Sequence, residues 1–238
     1  MVRWRLGVLN ISIRLSNFMK TIAVIPAFNE EKTVAIIVKK TKKYCPIIVV
    51  DDGSKDRTAE LAKKSGAILI EHEINEGYGK SLIDGINEAI KRKAEIIITL
   101  DADGQHNPDD IPKFINALKE GYDVVSGSRF LSGKSWGSWK RQLAIKALTT
   151  QTYLFSGLKL TDIQSGFRAY RADIFKKISL KHTGMGFSVE VPIKAKKIGC
   201  KFVEVSIKIR RPFRIKSFWS ALRQGIEICK AIIKYSLF

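Results

Sequence analysis

Three observations predict an α/β protein with an open, Rossmann-like, mostly parallel sheet flanked by helices. Residues 21–26, 47–51 and 96–101 are short runs rich in Ile and Val without polar alternation, as expected of strands covered on both faces. Helical patterns separate these runs, producing the strand–helix repetition of βαβ units. Each run also ends in a polar cluster, and open α/β sheets bind ligands at the carboxyl ends of strands, near the switch in strand order.

Taken in order, the first strand opens onto Ala27, Phe28, Asn29 and Glu30. The second delivers Asp51-Asp52-Gly53-Ser54, with Ser54 placed to cap a helix running through Lys64. A weaker run at 67–71 fits the same sheet. The strand at 96–101 leads into Asp101-Ala102-Asp103-Gly104-Gln105, and Asn107 followed by Pro108, Asp109 and Asp110 starts a helix to about Glu120. Residues 123–127 form another weak strand. Beyond residue 130 come a loop around 133–139, a helical stretch to about Phe155 and a polar segment at 161–168. A helix over 187–198, an alternating strand over 201–210 and a final helix follow.

The 238 residues suit one domain, since single cores rarely exceed about 250 residues. Three units follow from the pattern: an extension (1–18), the α/β domain (19–215) and a terminal amphipathic helix (216–238). The extension, with Arg3, Arg5 and Arg14 among apolar residues, reads either as an upstream start before Met19 or as a membrane-surface arm. Cys45, Cys200 and Cys229 lack the spacing of zinc sites or disulfide frameworks, which points to reduced thiols in a cytoplasmic setting. Lys and Arg (42) outnumber Asp and Glu (23), so polyanions attract the chain. The carboxylates, however, cluster at predicted strand ends, where a nucleic-acid clamp would not place them, and no nucleic-acid partner is expected. No run reaches the roughly 18 apolar residues of a membrane span.

Asp101 and Asp103 leave a hydrophobic strand with one residue between them, which alternation would turn to the same side. Two hard oxygen donors there suit Mg²⁺ or Mn²⁺, which accept one or two carboxylates and fill their remaining positions with substrate phosphates and water. Asp51 or Asp52 is placed to accept hydrogen bonds from a ribose or base edge. The segment Gly77-Tyr78-Gly79-Lys80-Ser81 ends like a phosphate loop but has Ile74 where that loop needs its first glycine. His72, His106 and His182 show no ligand spacing and read as surface or loop residues.

Pro26 to Glu30, Val50-Asp51-Asp52-Gly53-Ser54 with Asp56-Arg57-Thr58, and Asp101 to His106 together resemble the inverting family 2 glycosyltransferases. Gly127-Ser128-Arg129-Phe130 and Asp162-Ile163-Gln164-Ser165-Gly166-Phe167-Arg168 are similar to the branch of dolichyl-phosphate mannose synthases and polyprenyl-phosphate glycosyltransferases. The resemblance spans roughly residues 20–216 and implies a GT-A fold. It further implies a nucleotide lying against Pro26, Phe28, Glu30 and Asp52, with Ala102 beside it. It places Mg²⁺ or Mn²⁺ on Asp101 and Asp103 with Gln105 adjoining, and Arg129 and Arg141 facing phosphates or sugar. A late Arg-x-x-Gly-x-Ser-Lys pattern would fall at Arg210 and Lys216, where Phe213 and Ile215 replace the glycine and serine. The implied partners are a nucleotide sugar (GDP-mannose or a UDP-sugar), a polyprenyl or dolichyl phosphate, an anionic membrane surface and a membrane-spanning subunit.

The chemistry is consistent with that resemblance. A departing nucleoside diphosphate builds negative charge that a metal and arginines stabilise. A lipid monophosphate, with a second pKa near ~6, needs no general base. A sugar hydroxyl acceptor would need one, and Asp162 and Glu190 are the candidates for that alternative. From a different class, the chain reads as a non-catalytic basic module binding RNA or membranes. In the final helix, Phe218, Leu222, Ile226, Cys229 and Ile233 share one face at about 100° per residue, fit either to enter a membrane surface or to pack on the domain.

Overall fold

A computed structural model describes residues 19–131, 138–209 and 218–237. The extension 1–18, Arg210 and Lys216 therefore lie outside the described residues. The sheet contains β1 (Thr21–Ala27), β2 (Ile47–Asp51), β3 (Ile68–Glu71), β4 (Ile96–Thr99), β5 (Val124–Ser128), β6 (Arg168–Arg171) and β7 (Phe202–Ser206). Their order is β3-β2-β1-β4-β6-β5-β7, with β6 antiparallel to both neighbours. β1 to β3 build outward in one direction and β4 returns to the other side of β1. The switch in strand order thus falls between β1 and β4, the strands that carry Pro26 to Glu30 and Asp101 to Gln105.

Side-chain alternation explains the layers. Ala23, Ile25 and Ala27 of β1 face one core with α1 (Val34–Thr41), α2 (Thr58–Lys64) and α4 (Ile111–Lys119). Ile22 and Val24 face another with α3 (Tyr78–Lys91), α6 (Ile174–Lys177) and α7 (Phe187–Lys197). A third cluster joins α7 to α5 (Trp139–Ser156) and α8 (Phe218–Leu237).

Several sequence expectations change. α2 begins at Thr58, and Ser54 does not cap it: the Ser54 hydroxyl bonds Asp51 and accepts from the Asn29 amide at 2.8 Å. Asp56 serves the helix start instead, accepting from the Thr58 amide at 3.0 Å. Asn107 does cap as expected, accepting from the Asp109 amide, although a 3₁₀ turn (Pro108–Asp110) precedes α4. β4 ends at Thr99 and β7 at Ser206, both earlier than the apolar pattern implies.

β6 falls at the end of the segment read as polar. It has only four residues, Arg-Ala-Tyr-Arg, and the two strands beside it bury Arg168, Ala169 and Tyr170. Arg168 has a structural task on α7. Pro192 inside that helix has no amide hydrogen to give the Ser188 carbonyl, and the Arg168 guanidinium donates to that carbonyl at 2.6 Å.

α8 is seated on the domain by Ile228, Ala231, Ile232 and Tyr235, which pack with Val189 and Ile193. Leu222, Ile226 and Ile233 of the predicted stripe remain exposed, and Cys229 is half-buried. The packing face is therefore a neighbouring one. Among the described residues, no helix is long and apolar enough to cross a membrane.

Candidate active site

A cavity of about 420 Å³ opens at the carboxyl edge of the sheet. The β1 and β2 ends contribute Pro26, Phe28, Glu30 and Asp52, and the segment after β4 contributes Asp101, Ala102, Asp103 and Gln105. Arg129 follows β5, and Arg141 lies in the first turn of α5. The described residues assigned to nucleotide, metal and phosphates by the resemblance thus share one cavity, whereas Asp51, Asp162 and Glu190 do not line it. Asn75, Tyr78, Ser81, His106 and Met185 join them without having been predicted. A second hollow of about 490 Å³ beside β2 and β3 involves Asp51, Asp56 and Glu60, whose carboxylates hold Ser54, Thr58, and Arg57 with Lys64.

Asp101 and Asp103 converge through a turn, not through strand alternation, because β4 has already ended at Thr99. Tyr78, half-buried at the start of α3, donates its hydroxyl to Asp101 at 3.1 Å. Burial first, and the neighbouring Asp101 charge second, push the Tyr78 hydroxyl well above its ordinary pKa, so it stays a donor. Gln105 donates to Asp103 from both its backbone amide (2.9 Å) and its side-chain amide, orienting that carboxylate.

Gly166 supplies the space. A Cβ there would lie 2.7 Å from both Asp101 carboxylate oxygens and 2.9 Å from the Tyr78 hydroxyl. Gly166→Ala should displace Asp101 while leaving β6 paired, lowering turnover by roughly 10²-fold, on the scale of losing one oriented charge-stabilising group. Steady-state assays beside a thermal unfolding curve check this; wild-type turnover would remove the steric role.

The donor set fits a divalent cation. Two carboxylates and an amide are hard oxygen donors, and no group of three or more His, Cys, Asp or Glu residues among those described forms a closed metal site. That is the arrangement in which Mg²⁺ or Mn²⁺ relies on substrate phosphates for its other positions.

Other carboxylates are already engaged. Asp52 accepts from the amides of Glu76 (2.9 Å) and Gly77 (3.0 Å) and contacts His72 at 2.8 Å. It ties β2 to the start of α3 as well as lining the cavity. His72 bridges onward to Asp84 at 3.0 Å. Asp162 is fully buried and receives Arg129 through Nε and Nη2, both at 2.6 Å, and through the Arg129 amide. Glu190, equally buried, accepts from the amides of Lys181 and His182 and from Lys194. These contacts make both candidate bases structural anchors.

His72 and His106 are buried, contrary to the expectation of surface residues. Burial pushes His106 down to about 4, leaving it neutral at neutral pH, and its Nδ1 accepts from the Asp101 amide at 3.3 Å. Arg141 is lowered by burial and by the nearby Arg129 charge, partly offset by Asp103. The cavity therefore places carboxylates beside arginines.

Residues 22–179 match the domain described as Glycosyl transferase family 2. The chain belongs to that family. It is a glycosyltransferase, and the non-catalytic reading falls. It is 30% identical over 203 residues to polyprenol monophosphomannose synthase of Mycolicibacterium smegmatis, covering 79% of this chain and 76% of that protein. It is 34% identical over 209 residues to the UDP-N-acetylglucosamine–dolichyl-phosphate N-acetylglucosaminyltransferase of Methanococcus voltae, covering 78% and 83%. The GT-A fold is shared with glucosyl-3-phosphoglycerate synthase of Mycobacterium tuberculosis, solved with Mg²⁺ and UDP. There the TM-score is 0.75 at 18% identity, over 92% of this chain and 79% of that one.

Proposed function

We propose that this glycosyltransferase moves a sugar, mannose first among candidates, from a nucleotide-diphosphate sugar to a polyprenyl or dolichyl phosphate at the cytoplasmic face of a membrane. The observation that carries this reading is the single cavity holding Asp101 and Asp103 beside Arg129 and Arg141, while Asp162 and Glu190 are tied into the fold. A phosphate acceptor needs no base, and this site offers arginines in preference to one. When bound, a divalent cation would offset the charge developing on the departing diphosphate. Asp101 and Asp103 would hold it, with Gln105 and Tyr78 fixing their orientation. Pro26, Phe28 and Glu30 form the wall for the nucleoside, and Arg129 and Arg141 supply fixed positive charge for two phosphates. Relatives that act on polyprenol and dolichyl phosphates support this acceptor class, and mannose rests on the mycobacterial one. Incubation with GDP-mannose or UDP-sugars, with and without EDTA, checks the reading against polyprenyl phosphate and sugar acceptors. Product on sugar hydroxyls alone would overturn it.

Surface chemistry supports membrane attachment. α5 and α8 pack together and expose Trp139, Leu143, Leu154, Trp219, Leu222 and Ile226 near Lys140, Arg223, Lys230 and Lys234. Such a surface fits the headgroup–acyl boundary, or a membrane-spanning subunit in its place. Leu222→Ser, Ile226→Ser and Ile233→Ser combined should weaken sedimentation with anionic vesicles about tenfold or more, since each buried CH₂ contributes about 0.8 kcal/mol. Unchanged sedimentation would exclude α8 as the anchor.

A further inference from the structure

We infer that Glu227, on the outermost helix α8, is a positioning residue of the donor site. The inference rests on the proposed reading of the cavity as the site for a nucleoside diphosphate.

Met185 reaches the cavity from the loop 181–186 between α6 and α7. Two glutamates hold that loop from opposite ends. Glu190 of α7 accepts the amides of Lys181 (2.9 Å) and His182 (2.8 Å). Glu227 accepts the Gly186 amide at 3.2 Å and lies 3.6 Å from His182 Nδ1. Met185 therefore sits one residue from the point where α8 grips the loop.

The same loop also supports the opposite wall. The Thr183 carbonyl accepts from the Lys80 amide at 2.9 Å, in the first turn of α3. That turn carries Tyr78, whose hydroxyl reaches Asp101, and it follows the Glu76 and Gly77 amides that hold Asp52. At Gly79 the approach is close enough to exclude a side chain, and at Gly184 and Gly186 a side chain would meet neighbouring side chains. A Cβ on Gly79 would lie 2.2 Å from the His182 carbonyl oxygen, one on Gly184 the same distance from Glu227 Oε1, and one on Gly186 2.7 Å from the Ala231 Cβ. A continuous line of contacts thus runs from α8 through the loop to Met185, Tyr78 and Asp101. Glu190 is completely buried, so its removal would unfold the site, whereas Glu227 is one-third exposed and separates positioning from stability.

The test compares full-length Glu227→Ala and Glu227→Gln with wild type. Gln keeps an oxygen for the Gly186 amide; Ala does not. Calorimetric titration with UDP and with GDP in the presence of Mg²⁺ should show Ala weakening the nucleotide that wild type binds by about tenfold, and Gln by much less. Donor KM should rise in parallel while kcat and the thermal midpoint hold. The chain has three methionines, so methyl NMR of labelled Met185, assigned through Met185→Leu, reports the loop without any assay. Its resonance should shift in Glu227→Ala and return in Glu227→Gln. Unchanged affinity and an unmoved Met185 methyl would overturn this inference alone. A lower midpoint and a lower kcat alongside the raised KM would reduce Glu227 to a structural contact and overturn it too. Wild type binding neither nucleotide would overturn both this and the proposed function.

Discussion

Asp103→Asn is expected to fold normally and to lose transfer by roughly 10³-fold, along with metal-dependent nucleotide binding, because it removes one of two carboxylates from the proposed cation site. The fold should tolerate the change. Asp103 sits in a turn beyond β4, its neighbours are Gln105 groups, and an Asn oxygen still accepts the Gln105 amide while the Gln105 side chain can rotate to present its own oxygen. Titrating Mg²⁺ and Mn²⁺ with UDP and GDP, beside circular dichroism, separates loss of metal from loss of structure. Wild-type turnover in this variant would end the metal assignment. Asp101→Asn should behave similarly but with a larger effect on stability, since Tyr78 and His106 are arranged around that residue.

Arg129→Ala has the second large effect, and it strikes stability and chemistry together. The Arg129–Asp162 pair is almost completely withdrawn from water, with side-chain exposures of 5% and 0%. Removing the guanidinium leaves a buried carboxylate supported mainly by an amide, a change that typically costs about 3–5 kcal/mol. Turnover should also fall by roughly 10²–10³-fold as positive charge leaves the cavity. The double variant Arg129→Met with Asp162→Leu distinguishes the two contributions, because a buried ion pair replaced by apolar groups of similar volume is often neutral or stabilising. Denaturant unfolding should recover most of the lost stability in the double variant, and turnover should stay low. Recovery of turnover with stability would make Arg129 a support for the fold and nothing more.

These expectations depend on features of unequal visibility in the sequence. β1, β2 and β4 were legible because strands covered on both faces need unbroken Ile and Val, and the polar residues that end them mark the ligand edge. Asp101, Asp103, Arg129 and Arg141 were legible through motif resemblance, and their charges already implied a diphosphate. β6 was not: four residues bounded by arginines carry no pattern, and its burial comes from the strands on either side. Tyr78 and Met185 gave a partial signal in closely spaced glycines, Gly77 and Gly79 at the start of α3 and Gly184 and Gly186 before α7, which mark close backbone approaches without naming the partner. His106 gave none, since burial is not written in a single imidazole.

The sequence by itself determined the succession of elements apart from β6, the edge of the sheet where the cavity opens, and the carboxylate and arginine side chains gathered there. Tertiary structure alone decided which ionisable groups line that edge and which became part of the fold. Asp52 and Asp103 follow similar strands, yet Asp52 is held by amides 24 and 25 residues away and Asp103 by its own turn. Asp162 and Glu190 could each have been a base until packing surrounded one with an arginine 33 residues distant and the other with the 181–186 loop. The physical reason is that a buried charge takes whatever partner the packed chain brings within about 3 Å, and that partner is chosen by the docking of helices on the sheet. In the same way, the periodicity of α8 showed that it has an apolar face, while the core it meets selected Ile228, Ile232 and Tyr235 and left Leu222, Ile226 and Ile233 outside.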